Sequence, residues 1–580
     1  MNRSTVGAVG QQGNRTVAWS RGALAATILW SVWQTSLADI LPSVRSRADL
    51  RAFPRGPEVP DDAVLEASGA IVGTVRHVRL NVFDPTIPAE DTALFRFANR
   101  IHIVSRESTL GAQLLFRSGE RYEGRLLAES ERILRSKSYL GDARIRPVSY
   151  RDGLVDIEVV TQDTWTLKPE VHFTRTGGEN TSGFGIEEHN LFGTGAQLGF
   201  AVKSDVERDS NVLLYKDANV GGSRWRIDAE YANNSDGWAK KFAFDRPFYA
   251  LDTRWASGIG LRDERRIDSV YESGQVIHQF ATRERSGTVY VGGSRGLRDG
   301  WATRWTTGVT VDERRATALP DALPGSPLPK DRDLIYPWVG VEWVEDDFRV
   351  SRNQDQIART EDVELGWQSW VKLGLSTTAL GSDRNAVVFS GKVAKGFEPD
   401  QRQTLLVSGG ASGRVEHGQL TDTVFSAAAR YYWRHSTRRS LFVGLSADRG
   451  VRLDIDSQLT LGGDNGLRGY PFRFQTGQSR WLFTAEERWF TDWYPFRLFH
   501  VGGAVFFDMG QASGGNLVET PPSISVEDSK GVLRDVGVGL RLGISRSSVG
   551  TVLHIDLAYP IDRAAPMRKV QVNVELKRSF

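Results

Sequence analysis

From about residue 161 to its end, the chain alternates apolar and polar residues with a period of two. Trp165, Leu167, Pro169, Val171 and Phe173 fall on one side, with Thr166, Lys168, Glu170, His172 and Thr174 on the other. Stretches 224–231 and 536–544 repeat the pattern. So does the last one, where Val570, Val572, Val574, Leu576 and Phe580 alternate with Gln571, Asn573, Glu575, Lys577 and Ser579. Such alternation predicts strands with one greasy and one wet face. Turn signals separate them, among them Gly193-Thr194-Gly195 and Asn219-Val220-Gly221-Gly222. At roughly 25 residues per strand and loop, 164–580 holds about 16 antiparallel strands, which is the expectation for one closed transmembrane β-barrel. A propeller is the rival architecture, but no blade-length repeat is evident.

Ahead of the barrel the period changes. Over 67–163 a strand alternates through Val72, Thr74, Arg76, Val78 and Leu80, and Ser105 is placed to cap a helix carrying Leu110, Leu114 and Leu115. A second helix is predicted over 123–136, with Leu126, Leu127, Ile133 and Leu134 at core spacing. Strands 143–150 and 154–161 follow, joined by Asp152-Gly153, a hairpin turn. The order β-α-α-β-β predicts a small α+β domain. Residues 39–66 are rich in Pro, Arg and Asp without periodicity and read as a linker. Over 1–38, Arg3, Arg15 and Arg21 precede a short apolar run at 22–33, and Ser36 and Ala38 suit a cleavage site before Asp39. This is the pattern of an export signal.

Composition narrows the function classes. Lys and Arg (73) nearly balance Asp and Glu (71), which gives no electrostatic case for nucleic acid. A mean hydropathy of −0.34 argues against a helical membrane protein but permits a barrel, half of whose strand residues face a polar lumen. With no cysteine there is neither a disulfide framework nor a thiolate metal site. Gly292-Gly293-Ser294-Arg295-Gly296 matches a nucleophile elbow, but it sits among alternating strand residues and reads as chance. The nine histidines are scattered, and nothing asks for a metal or cofactor. The stretch Trp489, Phe490, Trp493, Tyr494 and Phe496 reads as an interfacial aromatic girdle.

Two segments inside the barrel half stand out. Residues 461–477 form a glycine-punctuated loop containing Arg468-Gly469-Tyr470. Residues 501–510 form a strand in which Val501, Val505, Phe507 and Met509 face lipid, which puts Asp508 in the lumen. Arg468-Gly469-Tyr470 after Gly462-Gly463 resembles the R-G-[FY] loop motif of the outer-membrane assembly and secretion superfamily, the group of BamA, TamA and the two-partner secretion transporters. Phe506-Phe507-Asp508-Met509-Gly510 resembles its F-x-D-x-G strand, and Asn190-Leu191-Phe192-Gly193-Thr194-Gly195 its N-L-x-G-x-G turn. The α+β unit resembles one POTRA domain, which places the chain nearest the single-POTRA branch, and ending on Phe580 resembles the barrel insertion signal.

The resemblance implies that the loop folds into the lumen, where Arg468, Gly469 and Tyr470 meet Asp508 and Gly510. Glu486 and Arg488 share a strand face and extend that network. It also implies a seam between first and last strands that opens toward lipid. Pro169, lacking an N–H, either weakens that seam or sits at the start of its strand at no cost. The implied work is physical rather than catalytic: insertion or translocation of polypeptides at the bacterial outer membrane. The implied partners are outer-membrane lipid, an unfolded or secreted polypeptide, and a periplasmic protein met through the POTRA-like domain. A passive diffusion channel is the alternative; a barrel enzyme such as a lipase would need a Ser/His pair on neighbouring wall positions, and none is evident.

Overall fold

Twenty strands pair in a closed antiparallel barrel in a computed structural model that describes residues 54–577 apart from 323–324, 516–517, 519–530, 548–549 and 563–566. The expected export signal, most of the stretch expected as linker, and Phe580 lie outside the described residues. The expected strand count of 16 is corrected to 20. The turns are tighter than assumed: Gly177-Gly178, Ser273-Gly274, Asp299-Gly300 and His417-Gly418 reverse the chain in two residues, all at positive φ. Strand and turn together take about 20 residues rather than 25.

The wall has the polarity of a membrane-spanning barrel. Val171, Phe184, Leu213, Val339, Leu373 and Val538 are exposed on its outside, while Thr310, Arg414, Glu486, Asp508 and Arg541 are buried on its inside. Three neighbouring strands, Trp255–Glu272, Gln275–Arg298 and Trp301–Ala318, run for 18, 24 and 18 residues. That exceeds the ~10 residues needed to cross hydrocarbon. Their ends project away from the N-terminal domain and carry paired charges, such as Arg266 with Asp268 at 2.7 Å and Glu284 at 3.2 Å.

The N-terminal domain runs α1 (Asp62–Ala67), β1 (Ile71–Leu80), α2 (Ala93–Ile101), α3 (Glu107–Gly111), α4 (Gly124–Arg135), β2 (Leu140–Arg151) and β3 (Leu154–Asp163). β3 is central, parallel to β1 and antiparallel to β2. Leu65, Val72, Leu110, Leu127, Leu134 and Ile157 lie in its core. Asp152 and Gly153 turn β2 into β3 at φ 51° and 78°. Three sequence readings are corrected. The stretch taken as linker ends in α1. α2 was passed over although its pattern is amphipathic: Leu94, Phe97, Ala98 and Ile101 fall on one side with Phe95 at its edge, and Arg96 and Arg100 fall on the other. Ser105 caps nothing: α3 is five residues long with Arg106 at its N-cap, and Ser105 is buried with its N–H donated to Asp163 Oδ2 at 2.7 Å.

Candidate functional site

Four adjacent strands each turn a charge inward. Glu486 stands on Ser479–Phe490, Asp508 on Phe499–Ser513, Arg541 on Leu533–Ile544 and Asp556 on Val552–Pro560. The parity read from sequence holds along the second of these: Val505 is exposed, whereas Phe506 and Asp508 are buried. Val501, on the outward parity, is nonetheless buried where the preceding turn folds over it; its N–H donates to Trp493 O at 3.1 Å.

Into this ring of charge drops the loop of residues 452–478, from the barrel end far from the domain. Leu461, Leu467, Tyr470 and Phe474 pack against Ala512 and Leu533 of the wall. The Tyr470 hydroxyl donates to Arg534 O at 2.8 Å. Gly469 lies so close to the wall that a Cβ there would meet Asp535 Cβ at 2.6 Å. Gly510 similarly clears space for Leu461. Held from both sides, Arg468 donates Nε to Asp508 Oδ2 at 2.7 Å and Nη2 to Oδ1 at 3.0 Å, a two-pronged contact. Its Nη1 donates to Glu486 Oε2 at 2.9 Å and lies 3.5 Å from Asp556 Oδ2. The guanidinium also lies 3.3 Å from the centre of the Phe506 ring. Arg488 Nε donates to Glu486 Oε1 at 3.0 Å, and Arg541 pairs with both Glu486 and Asp556.

A single surface ion pair holds little, but this is a desolvated network with fixed geometry. Removing one buried partner from such a network typically costs about 3–5 kcal/mol. Arg468, Arg488 and Arg541 balance Glu486, Asp508 and Asp556, and a further carboxyl, Asp535, lies directly cross-strand from Asp508 and is fully buried. Asp535→Asn is expected to raise the temperature at which the folded barrel unfolds while leaving the loop docked, because a carboxyl buried beside Asp508 must either take up a proton or stay charged out of water, and an amide does neither. Band-shift on unheated gels across a temperature series measures this.

The same loop spans the seam. Between the first barrel strand, Leu167–Thr176, and the last, Gln571–Lys577, one Cα pair registers among the described residues, Val574 with Arg175. Their other neighbours give them ten and seven pairs. Asn573 on the last strand donates Nδ2 to Arg468 O at 2.7 Å, and its Oδ1 accepts from Gly177 N at 3.3 Å just past the first strand. Phe472 N donates to Gly177 O at 2.9 Å. Gly177 has φ +58°, and a Cβ there would strike Phe472 N at 2.3 Å, so the first turn and the loop are fitted backbone to backbone. The loop thus supplies the contacts that the short ladder lacks. Pro169 is the third residue of its strand, exposed, opposite Ile186, and outside this contact.

A second element enters the lumen from the domain end. Strands Phe348–Arg352 and Thr360–Glu364 form a hairpin whose tip contacts wall positions on several strands. Tyr432 Oη donates to Asp355 Oδ1 at 2.8 Å, Arg349 Nη2 to Thr404 Oγ1 at 2.7 Å, and Arg488 Nη1 to Gln354 O at 3.0 Å. Ile357 packs among Phe490, Ala504 and Val552. Arg488 therefore touches both the hairpin and the Arg468 cluster. On its other side the hairpin meets the domain: Arg135 of α4 clasps Asp362 at 2.6 and 2.8 Å, and Thr360 Oγ1 donates to Asp142 Oδ2 at 2.9 Å. The domain is docked at further turns of that rim. Asn190 Nδ2 donates to Ser105 Oγ at 3.0 Å, Arg106 N to Gly193 O at 2.9 Å, and Leu251 N to Glu129 Oε1 at 2.8 Å. The N-L-x-G-x-G turn is where the domain seats.

Other sequence candidates fall away from the site. Ser294 is a wall residue on Gln275–Arg298, its hydroxyl donated to Thr303 O at 2.7 Å. Of the supposed girdle, Trp493 and Phe496 are exposed, but Phe490 and Tyr494 are buried. Sequence reasoning missed Arg541, Asp556, Asn573 and the hairpin. Inward parity marks Arg541 within 536–544, but its partners depend on strand register, which no single segment encodes.

No family model matches the sequence, and no curated protein matches it significantly. Solved structures do match. BamA from Haemophilus ducreyi lacking POTRA domains 1–3 is 13% identical, with 87% of this chain and 84% of that one covered and a TM-score of 0.36. CdiB from Escherichia coli is 13% identical over 88% and 77% of the two chains at a TM-score of 0.42. CdiB from Acinetobacter baumannii is 11% identical over 88% and 74% at 0.40.

Proposed function

We propose that this chain is a bacterial outer-membrane barrel of the assembly and secretion type, which moves polypeptide across or into that membrane, with its α+β domain acting as a single POTRA domain in the periplasm. The loop 452–478 then enters from the cell exterior and the hairpin 348–364 from the periplasm. The observation that carries this reading is the double duty of the Arg468 loop: its side chain is clamped to the wall, and its backbone joins the two strands flanking a seam with one registered pair among the described residues. A wall that needs a loop to hold it shut is one whose edges can be offered to an incoming strand by hydrogen-bond pairing. Releasing Arg468 frees the seam; redocking it closes the wall behind the cargo.

The diffusion-channel reading is less consistent with a lumen entered from both ends and a domain seated on the periplasmic rim. The two readings separate in planar bilayers. Replacing residues 348–364 by a short Gly-Ser turn is expected to raise single-channel conductance severalfold over a nearly closed parent. A parent already open, and unchanged by the deletion, supports the channel. Depleting the protein and comparing outer-membrane and secreted proteomes then identifies the cargo: loss of one exported species marks a dedicated transporter, broad loss a general assembly factor.

A further inference from the structure

Helix α2 has a face that the domain does not use. Phe95 is buried against Val82, Phe83, Trp165 and Leu498, with the Phe83 and Phe95 rings stacked at 4.0 Å. Asn99 Nδ2 donates to Phe83 O at 2.8 Å, and His102 beyond the helix reaches Asp163 at 3.2 Å. These fix one side of the helix. At about 100° per residue, Leu94, Phe97 and Ile101 share the adjoining sector, and they are 69%, 59% and 50% exposed. Ile103, just past the helix, is 52% exposed. The sector beyond carries Arg96 and Arg100; Ala93–Ile101 contains no acid, and Asp91, just before the helix, pairs with Arg96 at 2.6 Å.

The location of this stripe says what covers it. Trp165, which α2 packs against, lies two residues before the first barrel strand, and its N–H donates to Arg546 O at 2.8 Å. Leu498 immediately precedes the strand Phe499–Ser513. Both therefore belong to the rim of the barrel on the domain side. That rim has exposed apolar residues of its own in Leu167, Trp493 and Phe496. The stripe on α2 thus lies beside that rim, with arginines at its border.

We infer that α2 is a membrane-interface helix: Leu94, Phe97 and Ile101 rest among the acyl chains of the periplasmic leaflet beside the barrel, and Arg96 and Arg100 lie at its phosphates. An apolar stripe edged by arginine is the composition that binds anionic phospholipid surfaces. Its consequence is positional, since it holds the domain at the rim next to the strands whose seam the loop closes. The inference rests on the barrel spanning a membrane.

The absence of cysteine makes the test direct. Phe97→Cys, Arg117→Cys and Val505→Cys, each in the full chain, carry one nitroxide each in vesicles of phosphatidylethanolamine and phosphatidylglycerol. Relaxation by oxygen and by a water-soluble nickel chelate is compared. Val505, exposed on the wall, reports whether the barrel is inserted, and Arg117, exposed on the domain, reports water. The expected result is an oxygen-to-nickel ratio at 97 severalfold above that at 117 and of the same sense as at 505. A water-like ratio at 97 beside a lipid-like one at 505 overturns the inference while sparing the barrel. Protection at 97 that appears only when protein is crowded in the bilayer, as a second copy covering the stripe would give, also overturns it.

Discussion

Arg468→Ala is expected to abolish polypeptide insertion or secretion while the barrel still folds. The substitution strands the fully buried Asp508, whose two oxygens both accept from that guanidinium, and takes from Glu486 one of its three arginine partners. The resulting penalty of about 3–5 kcal/mol falls on the docked loop, because the twenty ladders of the wall do not run through Arg468. Undocking by that amount lowers the population of the clamped state by well over tenfold. Heat-modifiable gel mobility should therefore survive while cargo insertion into proteoliposomes is lost. Arg468→Lys should give an intermediate defect, since one ammonium cannot make the two-pronged contact with Asp508 and still reach Glu486. Wild-type insertion by the alanine variant would remove the clamp from the mechanism.

The second large effect is expected from locking the seam. Arg175 and Val574 are cross-strand partners, and such pairs bring Cα atoms within about 5.5 Å, inside disulfide range. Arg175→Cys with Val574→Cys, in a chain otherwise free of cysteine, should be fully active when reduced and inactive when oxidised, with activity restored by reductant. Ion conductance through the lumen should not change with the redox state. Full insertion activity in the oxidised form would mean that cargo passes without the seam opening.

How much of this could be read from the residues alone follows from the range of the forces involved. Alternation is local, so the wall and the inward position of Asp508 are visible in 501–510 without any partner. Asp152-Gly153 announces its turn for the same reason. Strand number was missed because it depends on turn length, and turns such as His417-Gly418 are shorter than an average loop. The hairpin 348–364 looks like two more wall strands, since nothing in its own sequence says that it pairs with itself inside the lumen. Arg468, Asp508, Glu486 and Arg488 were all named from sequence, and the structure brings them together. Asn573, which ties that cluster to the seam, was visible only as a polar residue on an alternating strand. Its role comes from closure of the barrel, which places residue 573 beside residue 177.

The claim at the centre is that the loop holds the seam. Its most direct test is the distance across that seam, from nitroxides on Phe173→Cys and Val572→Cys, two outward-facing positions on the first and last strands, read by electron–electron dipolar spectroscopy. With Arg468 present, one short and narrow distance is expected. With Arg468→Ala, the distribution should broaden and lengthen by at least one strand spacing, about 4.8 Å. The same narrow distance in both proteins would contradict the account.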